Sequence, residues 1–142
     1  SALVSTAQVG RASFYRNFTD KEDVLRQEND RLTAQWKQSY DALEHTAPNE
    51  LLVSLLDFYK ERSDFYLALY QAGLSGIVLQ TLLEQSEITP EMPNAMAYLK
   101  SSIAYMLYGW VVEWMKRGMQ ESGTELLKMF QAAPHSEINS NW

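Results

Sequence analysis

The residues best equipped for chemistry stand near the start of the chain, in the run Ala7-Gln8-Val9-Gly10-Arg11-Ala12-Ser13-Phe14-Tyr15-Arg16-Asn17-Phe18. Arg11, Ser13, Tyr15, Arg16 and Asn17 carry hydrogen-bond donors, while Val9, Phe14 and Phe18 recur at spacings of five and four and can fasten a short helix to a body behind it. A guanidinium bonds a guanine edge through two N–H groups or clamps a phosphate. Serine, asparagine and tyrosine add shorter donors for phosphates or bases. Lys21, in the first turn of the next helix, brings a charge beside free backbone amides that already favour a phosphate. The chemistry implied is the reading of a duplex groove by one face of a short helix. The same composition also fits a solvated helix with an aromatic anchor, because a basic patch is only a footprint.

Catalytic constellations are sparse. The two histidines are His45, beside Glu44, and His135, near the end of the chain, so neither a His-based triad nor a metal-binding His pair is easily assembled. The absence of cysteine excludes disulfides, thiolate zinc sites, iron–sulfur clusters and cysteine nucleophiles. Glu84, Glu87 and Glu91 read as a solvated acidic edge. The expectation is a protein that is not an enzyme and uses no cofactor. Phe58, Tyr59, Phe65, Tyr66, Tyr70, Met92, Met96, Tyr98, Tyr105 and Tyr108 supply aromatic and soft side chains on helices expected to face one another. That is the make-up of a small-molecule pocket, and equally that of a plain core. Glu113 faces either a cationic ligand or water.

The elements that must position these groups are helical. The chain has 142 residues, 46% of them apolar, and a length near 150 buries roughly 68–70% of the unfolded surface, enough for a core without metal or disulfide staples. β-Branched residues are sparse and no Asn-Gly or Asp-Gly turn separates alternating runs. Thr19-Asp20-Lys21-Glu22 is a capping box, and it opens a helix that Leu25, Leu32, Trp36, Tyr40 and Leu43 carry to about His45. Pro48 interrupts; Leu51, Leu52, Leu55, Leu56 and Tyr59 form the next stripe. A short helix over Phe65 to Ala72 and another from Ser75 to about Ser86 follow. Phe65 to Leu83 is 19 residues without a formal charge, close to a membrane span in length, but Gln71, Gly73, Ser75, Gly76, Gln80 and Thr81 interrupt it, so two buried helices broken near Gly73 are expected. Nothing near Ser1 reads as a secretory leader.

A helix from about Pro93 to Arg117, with Pro93 in its first turn, carries Met96, Leu99, Ile103, Met106, Leu107, Trp110, Val111 and Trp114 on one row and Tyr98, Tyr105 and Val112 on a second. A helix apolar on two sides is either central in the core or shared between core and partner. Gly118 stops it, and Thr124 to Phe130 forms a last short helix. Trp110, Val111, Trp114, Leu126, Leu127 and Phe130 are the expected dimer contacts.

The run Val9 to Phe18, followed by Lys21-Glu22-Asp23-Val24-Leu25, resembles the helix-turn-helix signature of the tetracycline-repressor (TetR) family, and the rest of the chain resembles it in helical layout. The resemblance implies an all-α homodimer with an N-terminal DNA-binding domain and a larger ligand-binding domain. It implies that Arg11, Ala12, Ser13, Arg16 and Asn17 lie on the recognition helix, that Tyr15 and Lys21 hold phosphates, and that Phe14 and Phe18 are core positions. It also implies that a first helix is missing ahead of Ser1. Gln8 departs from the family, which often has glycine at that turn.

The expected architecture is therefore a helix-turn-helix remnant over residues 1–26, joined to a helical-bundle ligand-binding and dimerisation domain over 27–133, with a tail over 134–142. Charge divides the same way: residues 1–18 hold two arginines and no acid, and the remainder holds ten bases against eighteen acids. The expected function is a ligand-responsive DNA-binding transcriptional regulator, a repressor, bound as a homodimer to a palindromic operator in a bacterial cytoplasm, with a small-molecule effector and no membrane partner. The alternative is a helical interaction or ligand-binding module that has lost DNA binding.

Overall fold

Each break in the apolar pattern becomes a helix end in the computed structural model, which describes residues 21–47 and 49–133. The fold is all-α: six helices, α1 (Lys21–Asp41), α2 (Glu50–Glu61), α3 (Ser63–Gln71), α4 (Gly76–Gln85), α5 (Asn94–Lys116) and α6 (Gly123–Ala132), with no strand among the described residues. The candidate recognition segment and residues 134–142 lie outside the described residues.

Helix α1 is polar along most of its length. Glu22 and Asp23 sit in its first turn, where the helix dipole favours acids, and Glu22–Arg26 at 2.6 Å and Lys37–Asp41 at 3.1 Å pair one turn apart. Only Asn29 and Trp36 are buried on it. The helix stops at Asp41, short of the expected His45. There the chain folds back, the His45 ring stacks on Tyr40 with centroids 3.6 Å apart, and its Nε2 lies 2.5 Å from the Tyr40 carbonyl oxygen. Asn49, at φ 68°, opens α2, a conformation asparagine tolerates better than most residues.

Helices α2 and α3 follow with only Arg62 between them, and a turn with Gly73 at φ 76° separates α3 from α4. Pro93 stands just ahead of α5 rather than inside its first turn, and its carbonyl accepts the first helical bond, from the Ala97 amide at 3.0 Å. The C-terminal stop of α5 is a Schellman arrangement: Gly118 at φ 86° donates to the Met115 carbonyl (3.1 Å), and Met119 donates to the Trp114 carbonyl (2.7 Å) while both side chains are buried. Ser122 then caps α6, its Oγ accepting from the Glu125 amide at 3.1 Å.

The packing puts α2 against α6, α5 against α3 and α4, and α1 across α2 and α4. The core is built from Leu55, Leu56, Tyr59, Tyr66, Leu69, Val78, Val111, Trp114, Met115 and Met119. Gly123 is where α6 comes closest to α2: a Cβ there would stand 2.6 Å from the Asp57 backbone nitrogen and 2.8 Å from the Leu56 carbonyl carbon. No helix among the described residues is long and apolar enough to cross a membrane.

Candidate ligand groove and its buried polar hub

Of the residues expected to meet DNA, Arg11, Ala12, Ser13, Tyr15, Arg16 and Asn17 lie outside the described residues. Lys21 is the first residue of α1 and is exposed.

The expected aromatic pocket is divided. Phe58, Tyr59, Phe65 and Tyr66 form a filled cluster, with Tyr59 and Tyr66 edge-on at 4.7 Å and Phe65 and Tyr66 edge-on at 5.1 Å. Tyr70 is half-buried against the core, and Tyr108 places its hydroxyl 3.3 Å from the Ser75 hydroxyl. Met96 and Tyr105 are exposed on α5, which removes them from any interior cavity. Tyr59, Phe65 and Tyr66 fill the space between the helices as core, while Phe58, in the same cluster, also lines an open groove.

The larger cavity is a groove of about 1000 Å³ between the C-terminal half of α1 and the outer face of α2. Trp36 and Tyr40, one turn apart on α1, and Phe58 on α2 form its aromatic floor, with centroids 5.9 Å apart for Trp36–Tyr40 and 6.0 Å for Trp36–Phe58. The Trp36 indole N–H donates to the Ser54 hydroxyl at 2.8 Å, which fixes the ring. Glu44, Glu50, Asp57 and Glu61 line the same groove, together with His45 and Arg62. The Arg62 guanidinium lies 4.3 Å from the centre of the Phe58 ring and 3.6 Å from the Glu61 carboxylate. His45 Nδ1 is 2.8 Å from the Glu50 carboxylate. The Ala47 amide, donating at 3.0 Å, holds the Glu50 carboxyl below the usual carboxylate range; burial works against it and His45 reinforces it.

Behind the groove lies a buried polar hub. Asn29 is 1% exposed; its Nδ2 donates to the Thr81 hydroxyl (3.2 Å) and its Oδ1 accepts from the Tyr66 hydroxyl (2.8 Å). One side chain of α1 is thereby bonded to α3 and to α4. At the rim, Arg26 of α1 donates to the Gln80 side chain and to Glu22. Tyr59, fully buried, has a hydroxyl with no hydrogen-bond partner among the described residues. Burial pushes both the Tyr59 and the Tyr66 hydroxyl well above the usual phenol range.

Neither the hub nor the groove was anticipated from the sequence, although both left a signal. Asn29 falls on the Leu25–Leu32–Trp36 stripe, at the 4, 3, 4 spacing that points inward. Its charged neighbours Glu28 and Asp30 mask that inward position. Trp36 and Tyr40 read as core anchors, and only the fold shows that Tyr40 lies beside a groove instead.

Four of the six expected dimer contacts are taken up by the chain's own packing. Val111, Trp114, Leu126 and Leu127 are buried inside the chain's own core, because α5 and α6 close over α2 and α3. Trp110 and Phe130 are half-buried and meet each other edge-on at 5.5 Å. The apolar surface left outside is the other side of α5: Met96, Tyr98, Leu99, Ile103, Tyr105 and Met106, with Tyr98 70% and Tyr105 54% exposed. Met129 of α6 is exposed as well. Glu113 faces solvent, 3.3 Å from Arg117. Among the described residues no group of three or more His, Asp or Glu side chains is placed to hold a metal ion. No protein-family model matches the chain, and neither a curated protein nor a solved structure does.

Proposed function

We propose that this chain is a ligand-responsive, DNA-binding transcriptional regulator of the TetR kind, a cytoplasmic repressor that works as a homodimer. The observation that carries the proposal is the continuity of α1. The run Val9 to Phe18, with its arginines and phenylalanines, ends in the sequence three residues ahead of Lys21, the first residue of this helix, and the far half of the same helix forms a wall of the groove. A ligand that favours one spacing of α1 and α2 shifts the population of recognition-segment positions through its differential affinity for the two states.

A dimer supplies two recognition segments to half-sites roughly 34–36 Å apart. Its contact surface in this reading is the outer side of α5, since six large apolar side chains there have no cover. Tyr98→Glu combined with Tyr105→Glu yields monomers by sedimentation velocity, while Trp114→Glu disrupts the fold.

Selection of bound duplexes from a random pool, followed by anisotropy titrations at two salt concentrations, tests DNA recognition. Arg11→Ala costs about 1–3 kcal/mol and relaxes one base position. Lys21→Ala weakens all duplexes alike and lowers the salt slope by about one counterion. Equal, sequence-independent binding by the starting chain and by Arg11→Ala refutes the reading.

A further inference from the structure

We infer that the groove between α1 and α2 binds an amphiphilic organic cation, a small apolar body carrying an amine or quaternary nitrogen; this names the ligand class of the regulatory reading and rests on it. Three features of the groove converge on that chemistry. The floor is aromatic, and the face of an aromatic ring attracts cations. Two rings are already used this way, since the Arg62 guanidinium sits over Phe58 at 4.3 Å and the Lys37 ammonium over Tyr40 at 5.5 Å. The charges along the walls are also unequal. Glu50 is engaged by His45 and the Ala47 amide, and Glu61 by Arg62. Glu44 and Asp57 have no ion-pair partner among the described residues, although Asp57 also faces the start of α6 at Gly123. With Arg62 set against Glu61, an anion entering the groove still meets the excess of carboxylates, a neutral ligand gains only the rings, and a cation gains both the rings and the two carboxylates without an ion-pair partner.

Size and contrast point the same way. A volume of about 1000 Å³ is at the upper end of the range for small-molecule sites. The second cavity, about 200 Å³ between α2, α4 and α5, has leucine walls and the single cation Lys100, which is bonded to the Ser86 carbonyl at 3.1 Å. It is smaller and opposite in sign, so the two cavities select against each other's ligands.

The experiment is isothermal titration of the full chain at pH 7 with 4-phenylbutylammonium, 4-phenylbutanol and 4-phenylbutyrate, which share a body and differ in charge. The expected order is cation, alcohol, anion, with the cation about tenfold tighter than the alcohol. Glu44→Gln with Asp57→Asn removes most of that preference and leaves the alcohol unchanged. Should the double variant lose its helical circular dichroism, Glu44→Gln alone, at an exposed carboxylate, lowers cation affinity about two- to threefold. Equal affinity for cation and alcohol, a preference that survives loss of the carboxylates, or no heat from any of the three overturns the inference. The titrations contain no DNA, so the two readings fail separately. A chain that binds the cation and ignores DNA refutes the regulator; one that selects an operator and ignores the cation refutes this inference alone.

Discussion

Tyr59 and Tyr66 are neighbours edge-on in one core, both fully buried, and the same substitution is expected to move stability in opposite directions. The Tyr66 hydroxyl donates to Asn29 Oδ1 at 2.8 Å. Tyr66→Phe removes that bond and leaves the buried Asn29 oxygen unpaired, a loss of about 1–3 kcal/mol. The Tyr59 hydroxyl meets no partner among the described residues, and burying a hydroxyl without a bond costs about 1–3 kcal/mol on mutational scales. Tyr59→Phe removes the oxygen and keeps the ring, so it is expected to stabilise by up to that amount. A chain of this size moves in Tm by on the order of 3 °C per kcal/mol, so the two variants should melt at least about 3 °C apart, and about 6 °C or more where Tyr59→Phe gains about 1 kcal/mol, with the starting protein between them. Thermal melts by far-ultraviolet circular dichroism, with urea unfolding to check that the m-value is unchanged, measure the difference. The reasoning is refuted if both variants shift the same way, or if Tyr59→Phe destabilises by more than about 1 kcal/mol.

Alkaline pH probes the same pair. Burial raises both phenols above their unfolded value of 10.0. Their contribution is complete below pH 10 and is lost as pH rises beyond it, because the unfolded chain then releases protons that the folded chain retains. Urea unfolding between pH 9 and 11 should show a total loss of about 1.4 kcal/mol for each tyrosine, most of it above pH 10, and either Phe variant should halve that loss. Gly123→Ala drives a methyl into the backbone of Asp57 and Leu56, so α6 must back away from α2; a loss of about 3 kcal/mol is expected in urea titrations. Replacing the whole hub by apolar groups of similar shape, with Asn29→Leu, Tyr66→Phe and Thr81→Val together, should leave stability within about 1–2 kcal/mol of the starting protein. Asn29→Leu alone should destabilise by more than the triple variant, and the reverse order counts against the hub.

The helices were legible because their signals are local. Gly118 and the apolar stripe of α2 each fix an element without reference to anything distant. The end of α1 was missed by four residues because His45 folds back on Tyr40 and Glu50, a contact that helical periodicity cannot express. Which side of α5 stays exposed was hidden for a related reason. Periodicity finds that α5 is apolar on two sides, but which side the chain covers depends on α3 and α4, so Val111 and Trp114 went inside while Tyr98 and Tyr105 stayed out. The groove was illegible because it lies between two elements whose spacing no local rule supplies.

The strength of the attachments along α1 decides how the proposed regulation can travel. The pairs at its surface, Glu22–Arg26 and Lys37–Asp41, join residues of α1 to each other and so do nothing to hold the helix against its neighbours. Asn29 is different, because withdrawing it leaves Tyr66 and Thr81 without their partner in a dry interior, at a cost of about 1–3 kcal/mol for each group. Trp36, buried and bonded to Ser54 of α2, moves only with α2, so the helix, carrying that contact along, is expected to turn about Asn29 rather than slide past it. At 1.5 Å per residue, Lys21 lies about 12 Å to one side of this pivot and Tyr40 about 16 Å to the other. A shift of 1 Å forced on Tyr40 by a ligand in the groove becomes roughly 0.7 Å of opposite motion at Lys21, set by the ratio of those two arms. A shift of that size over two half-sites alters their separation by an ångström or so. An interface built on directional hydrogen bonds registers such a change where a purely electrostatic one does not.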